Sequence, residues 1–161
     1  MSYVPSEKIG KLDQAEIMTF LAEPWNARIA TMTPEGWPYM TPVWYDYEME
    51  RRTFLVVGRD HAEWVGYVSR NPKVALLVAD DLHVEHTRVN VQGLAEIIDG
   101  PIAPVEHPEL AATIERMALR YLGPNGSAYA KLTERRARVV IRITPRRWRS
   151  WTGREWHHRY L

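Results

Sequence analysis

Residues 33–57 read TPEGWPYMTPVWYDYEMERRTFLVV, and they contain two turns and two strands in alternation. Thr33-Pro34-Glu35-Gly36 is typical of a turn, with proline at its second position and glycine to close it. A strand is predicted from Pro38 to about Glu48, and residues 49–52 turn the chain again. The continuous apolar run over 53–57 predicts a further strand that is buried on both faces. Such short connections between successive strands predict an antiparallel sheet.

The rest of the chain adds strands and peripheral helices to this meander. A helix is predicted over about 13–23, because Asp13 can cap it and Glu16 occupies the capping-box position. Gly93 lies inside a strand predicted over about 87–98 and indicates a bulge or a barrel corner, while Asp99-Gly100-Pro101 is expected to end that strand. The other predicted elements are strands at 26–32, 73–79 (buried) and 139–143 and helices at about 62–70 and 108–122. About six strands with a few helices favour a closed or split barrel, because closure removes unpaired sheet edges.

The composition fits one globular domain in the cytoplasm. The chain has 161 residues, of which 45% are hydrophobic and 25% charged, which is close to the globular average. The formal net charge of +1 argues against a general affinity for nucleic acid or an anionic membrane. Cysteine is absent, which removes disulfides and thiolate metal sites and fits a reducing compartment. Residues 1–12 lack the apolar core of a signal peptide, and no apolar run is long enough to span a bilayer.

Five segments, in order along the chain, resemble the pyridoxamine-phosphate-oxidase-like family of split-barrel flavoproteins. The resemblance extends from about Asn26 to Trp151. The segments are GWPYMTPVWY (36–45), FLVVGR (54–59), SRNPKVAL (69–76), TRVNVQGLAE (87–96) and ITPRRWRSW (143–151). Each fragment alone is a weak signal, and the weight of the resemblance lies in their order.

This resemblance implies a mainly β fold, a six-stranded antiparallel split barrel that forms a homodimer with two FMN sites at the dimer interface. The whole chain, 1–161, is then a single domain with a basic, aromatic C-terminal tail over about 146–161 that packs across the partner subunit. By matched position, the candidates for contact with the flavin ring are Thr41, Pro42, Val43, Trp44 and Tyr45. The candidates on the phosphate side are Gly58, Arg59, Asp60 and His61, followed by the start of the next helix, where Trp64 lies. Arg88 matches a polar contact to the ring, and Trp151 is expected to reach the partner's flavin.

These residue types suit a flavin for physical reasons. A loop that carries an arginine into a helix offers positive charge and backbone N–H groups to a phosphate, as Arg59 does here. A cation such as Arg88 near the N1–O2 edge of the ring favours the reduced, negatively charged form. Hydride transfer at N5 is the cofactor's own chemistry, so no catalytic side chain is predicted.

The chain departs from the family pattern where relatives carry cations. Thr41 and Asp46 stand where pyridoxamine phosphate oxidase has an arginine and a lysine, and Glu63 and Trp64 stand where many relatives have a lysine. True pyridoxamine phosphate oxidase activity is therefore not expected, and phosphate binding depends on Arg59, His61 and other groups.

A structural role remains open for each candidate. Without the resemblance, Val43, Trp44 and Tyr45 are ordinary strand residues, with alternate ones in the core. Arg59 also fits a solvated loop, and Arg88 fits a surface residue paired with Glu85 or Glu96.

The expected function is an FMN-dependent oxidoreductase that moves a hydride between NADH or NADPH and a small conjugated acceptor. A deazaflavin coenzyme is a close alternative. A non-catalytic module that holds a flavin, or haem through His157 and His158, is an alternative of another class. Single-stranded nucleic-acid binding by the tail is disfavoured, because acidic residues elsewhere nearly balance its arginines. A metal site at His83-Val84-Glu85-His86 lacks a third ligand at a suitable spacing, and none is predicted.

Overall fold

The strands of the chain form one sheet. In the computed structural model, residues 8–154 are described. The strands are β1 (Ala27–Met32), β2 (Pro38–Val43), β3 (Tyr45–Glu48), β4 (Thr53–Arg59), β5 (Lys73–Ala79), β6 (Arg88–Ile102) and β7 (Arg138–Trp151). Their order across the sheet is β2-β1-β5-β6-β7-β4-β3, and every neighbouring pair is antiparallel.

One bent segment closes this sheet into a barrel. β2 and β3 lie at its two edges, yet only Trp44 separates them along the chain. The strand predicted over 38–48 is therefore interrupted at Trp44, where the chain passes from one edge of the sheet to the other. Counted as one bent strand, β2 and β3 bring the total to the predicted six. The mainly β, antiparallel split barrel is confirmed.

Between residues 8 and 154, four α-helices pack on the barrel: α1 (Gln14–Ala22), α2 (Glu63–Arg70), α3 (Pro108–Leu122) and α4 (Gly126–Thr133). The predicted capping box of α1 is confirmed, since Asp13 accepts from the Glu16 amide at 2.9 Å and Glu16 accepts from the Asp13 amide at 2.6 Å. The sequence did not predict α4, because Gly123-Pro124 reads as the end of helical structure. Within residues 8–154, no helix has the length and apolar character needed to cross a membrane.

β6 and β7 pair over most of their length and change two of the predictions. Gly93 lies at a shift in their register, as the bulge prediction requires. β6 continues through Asp99-Gly100-Pro101 to Ile102 with further register shifts, so the predicted break is wrong. β7 runs to Trp151, so residues 146–151 belong to the sheet and not to a tail. The sequence misled this prediction because, along residues 146–151, arginines that face outward separate the few apolar residues that face inward. Residues 155–161 lie outside the described part of the chain.

The core has two parts, one inside the barrel and one beneath α3. Phe54 and Val56 of β4 belong to the inner cluster, whereas Leu55 joins Leu110 and Met117 of α3 in the outer one. The prediction that this strand is buried on both faces is therefore confirmed. β5 is buried on one face only, with residues 74, 76 and 78 inward and the alternate residues half-buried.

Candidate functional site

The bent segment β2–Trp44–β3 sorts the predicted ring contacts between the inside and the outside of the barrel. Val43 is 9% exposed and Tyr45 is fully buried, and both belong to the inner core. Thr41 lies on the same inward side and is half-buried. Pro42 and Trp44 alternate with them and face outward, because successive side chains of a strand point to opposite faces.

Two of these side chains are buried in the core. The Tyr45 hydroxyl donates to the Leu21 carbonyl at 3.0 Å, and burial raises the pKa of Tyr45 well above its usual range. The Val43 side chain also belongs to the inner core. Their side chains thus pack as those of ordinary strand residues do, and their contact with a flavin ring stays a prediction.

Trp44 already has an aromatic partner from its own chain. Its ring stacks on Tyr121 of α3 with centroids 5.1 Å apart and planes 4° from parallel. The Tyr129 ring of α4 approaches edge-on at 5.4 Å. The chain's own helices therefore cover part of the surface where a flavin ring was predicted, and sequence reasoning missed both tyrosines because nothing local links α3 and α4 to residue 44.

Asp46, which stands where relatives carry a lysine, serves to attach α3. Its carboxylate lies 2.9 Å from Arg116 and 3.7 Å from Arg120. The Tyr121 hydroxyl lies 3.1 Å from the Trp25 carbonyl and accepts from the Tyr45 amide at 3.2 Å, and burial raises the pKa of Tyr121. The four-residue spacing of Arg116 and Arg120 places both on one side of the helix, which was the sequence signal for this contact.

The end of β4 and the start of α2 hold the predicted phosphate contacts. Gly58 is buried against α2, where an added Cβ would lie 2.8 Å from the Trp64 ring. Trp64 is 7% exposed and its side chain belongs to the inner core. His61 is exposed and lies 3.1 Å from the Asp60 carboxylate. Arg59 is exposed, and its partner across the sheet is Arg138, a residue that the sequence analysis did not single out.

Arg88 and Trp151 meet on the outside of the barrel. They are cross-strand partners in β6 and β7, and the guanidinium lies 6.0 Å from the centroid of the tryptophan ring. Arg88 also donates to the His86 carbonyl at 3.3 Å. The alternative pairing of Arg88 with Glu85 does not occur, because Glu85 accepts from Arg154 at 2.6 Å, and that hydrogen bond lowers the pKa of Glu85.

The predicted contacts thus form two separate groups. Arg59 lies opposite Arg138 at the beginning of β7, while Arg88 lies opposite Trp151 at its end. Measured along the fully extended strand, β7 spans at most roughly 40 Å between these two positions. The two groups therefore lie at opposite ends of β7.

One outer surface of the sheet carries no helix in the described part of the chain. We call the outward side of β2, β1 and β5, together with that of residues 88–92 of β6 and 147–151 of β7, the open face. Cross-strand rows run over it, for example Met40–Ala30–Ala75–Gln92–Arg147. It is apolar at one end, where Met32 and Met40 are 38% and 65% exposed, and basic at the other, where Arg88, Arg147 and Arg149 lie.

A cleft with a volume of about 570 Å³ is bounded by the N-terminal segment, α1, the β3–β4 turn and β7. Basic residues (Lys11, Arg52 and Arg149) and apolar ones (Leu12, Ile17, Tyr47 and Trp148) are among those that line it. None of the predicted flavin contacts does.

The histidines considered for metal or haem are placed as follows. His83 lies 2.7 Å from the buried Asp80 carboxylate. Among residues 8–154, no three His, Asp or Glu side chains are grouped as metal ligands. His157 and His158 lie outside the described residues, so the haem alternative stays a prediction.

Comparisons with known proteins place this architecture in context. The family described as pyridoxamine 5'-phosphate oxidase matches residues 13–152. The conserved hypothetical protein Rv2991 from Mycobacterium tuberculosis has 24% identity and a TM-score of 0.66, with 93% of this chain and 90% of that chain covered. An F420 reductase has 22% identity and a TM-score of 0.59, covering 81% and 93%. HutZ, the haem storage protein of Vibrio cholerae, has 16% identity and a TM-score of 0.62, covering 87% and 96%. No curated protein sequence matches the chain.

Proposed function

Since this chain belongs to the pyridoxamine 5'-phosphate oxidase family, we propose that it is a flavin-dependent oxidoreductase that acts as a homodimer. A nicotinamide coenzyme is the electron donor, and a small conjugated molecule is the acceptor. Each of the two flavin sites is shared between the subunits, in the arrangement that the matched motifs imply.

The observation that carries this proposal is the separation of the two groups of candidate residues. Arg59 and Arg88 are at opposite ends of the sheet surface traversed by β7. We infer that a second copy placed on the open face brings the Arg88–Trp151 pair of one subunit towards Pro42 of the other. The exposed apolar side chains of Met32 and Met40 on that face supply part of the area that such a contact buries.

The residues present fit a flavin in part. The outward side chains available to the ring are Pro42 and the part of Trp44 that α3 and α4 leave uncovered from one subunit, and Arg88 and Trp151 from the other. Bound flavin supplies hydride transfer at N5. Arg88 provides positive charge for the electron-rich edge of the reduced ring, and its contact with Trp151 fixes its orientation. The protein's tasks are then to bind, orient and shield the ring.

The identity of the coenzyme follows from what holds its phosphate. The chain lacks the cations that pyridoxamine phosphate oxidase carries at the positions of residues 41 and 46, and the absence of these charges weakens binding of the FMN phosphate. In addition, a structurally similar protein is an F420 reductase. We favour FMN because arginine remains at the end of β4. A deazaflavin is the competing coenzyme, and the same titration separates the two.

The test is a titration of purified protein with FMN and with a deazaflavin, followed by absorption and tryptophan fluorescence. We expect quenching by one of them and its reduction on addition of NADH or NADPH. Arg88→Gln should weaken coenzyme binding about tenfold, the usual effect of losing one charged contact, and lower the midpoint potential of the bound flavin. Arg70→Gln, at an exposed position of α2, is the control and should change neither. Protein that binds no coenzyme of either kind contradicts the proposal.

A further inference from the structure

Two arginines face each other across β4 and β7. Arg59 and Arg138 are direct cross-strand partners, so they lie on the same face of the sheet, with Cβ atoms about 5 Å apart. Like charges in this position destabilise a sheet. A negatively charged group next to both side chains would offset this repulsion.

Arg138 has no compensating negative charge among the described residues. It is 6% exposed, and its Nε has no hydrogen-bond partner there. None of the ion pairs within residues 8–154 includes Arg59 or Arg138. Burial lowers the pKa of Arg138, and the nearby Tyr129 opposes that effect only in part.

The surroundings of this pair add positive potential. A third arginine, Arg136, is close enough to disfavour the charge on Arg138. Arg59 leads into α2, whose N-cap, Ala62, provides no capping side chain. The first amides of the helix therefore add their partial positive charge beside Arg59. A buried cation without a partner is unfavourable, and an anion bound at this point relieves that cost.

We propose that Arg59 and Arg138 form a binding site for a phosphate group, with Arg59 as its solvent-facing half and Arg138 as its buried half. That the phosphate belongs to the flavin coenzyme rests on the proposed function. In that case Arg138 replaces the cations that relatives carry at the positions of Thr41, Asp46 and Trp64.

The first test measures thermal unfolding in inorganic phosphate and in chloride at equal ionic strength. We expect phosphate to raise the Tm of the wild type, and Arg138→Met and Arg59→Met to abolish that rise. Arg135→Gln, an exposed arginine nearby, is the charge-matched control and should keep it. Without phosphate, Arg138→Met should unfold at the same or a higher temperature than the wild type, because an apolar side chain replaces an unpaired buried cation. A purely structural arginine would give the opposite result.

The second test compares FMN with riboflavin, which has the same ring and no phosphate. The wild type should bind FMN at least about tenfold more tightly than riboflavin, as expected for a charged contact. Arg138→Met and Arg59→Met should bind the two almost equally, with riboflavin affinity unchanged. If Arg138→Met does not fold, Arg59→Met and the phosphate titration of the wild type still decide the question.

The outcomes separate this inference from the proposed function. If phosphate stabilises the protein through Arg138 but no flavin binds, the phosphate site stands and the flavin assignment fails. If FMN binds with the same affinity in the wild type and both methionine variants, the flavin assignment stands and this site is wrong. If the wild type responds to neither ligand, both are wrong.

Discussion

At the scale of single residues, Arg120 joins three elements. It donates to the carbonyls of Leu21 and Glu23 at 2.7 Å, just at the end of α1. Its guanidinium lies 4.8 Å from the centroid of the Tyr45 ring and forms an ion pair with Asp46 of β3. One side chain of α3 thereby satisfies backbone groups of α1 that have no helical partner and packs on the buried aromatic residue of the bent segment.

We expect Arg120→Met to destabilise the protein by about 3 kcal/mol, because the two α1 carbonyls and Asp46 lose a partly buried charged donor. Arg116→Met is the matched control. Arg116 also pairs with Asp46, but 56% of its side chain is exposed, and such pairs contribute less than about 1 kcal/mol. Urea unfolding of both variants is the measurement, and equal losses would refute the role given to Arg120.

At the scale of the elements, the β6–β7 pair depends on a bulge at Gly93. A Cβ at this residue would lie 2.6 Å from the Thr144 carbonyl oxygen, a contact with backbone that no side-chain rotation can relieve. Gly66 in α2 is different, because nothing lies within 4 Å of its added Cβ. An added methyl group therefore meets backbone atoms at Gly93 and open space at Gly66.

The same substitution at these two sites should change stability in opposite directions. Gly93→Ala should destabilise the protein by about 2 kcal/mol, because the strands must separate locally to admit the methyl group. Gly66→Ala should stabilise it by about 0.5 kcal/mol, since alanine loses less conformational entropy in a helix. Chemical denaturation monitored by circular dichroism provides both values. A tolerated Gly93→Ala would mean that the bulge does not fix the register.

At the scale of the whole molecule, the asymmetry of the barrel surface is the main feature. α3 and α4 cover the outer side of β3 and β4, while the open face carries exposed Met32 and Met40. Exposed apolar side chains on an uncovered sheet face are typical of an association surface. The proposed homodimer places a second copy there.

We expect the wild type to elute as a dimer in size-exclusion chromatography with light scattering, and Met40→Glu to elute as a monomer. A carboxylate introduced at the centre of an apolar contact is desolvated without a partner. Leu132→Glu is the control, because Leu132 is 78% exposed on α4, away from the open face, and this variant should remain dimeric. A monomeric wild type would remove the basis for the shared flavin site.

The sequence by itself determined the local elements and the family. Alternation, turn residues and capping signals placed α1, the meander, the Gly93 bulge and α3, because these features depend on sterics and hydrogen bonds between near neighbours. It also located residues 41–45 and 58–61 as the segments of interest. The extent of β7 and the presence of α4 were misread, because outward arginines and a Gly-Pro pair conceal regular structure that only pairing and packing reveal.

Only the tertiary structure decided which of the candidate side chains face the core and which face outward. Barrel closure at Trp44 sets the phase of the alternation, so Tyr45 is inside and Trp44 outside. Strand register brings Arg59 to Arg138, and helix docking brings Trp44 to Tyr121. These partners are distant in sequence, and their contacts depend on the registers of all strands at once. No local pattern encodes such contacts, because their free energy arises only when the whole barrel has closed.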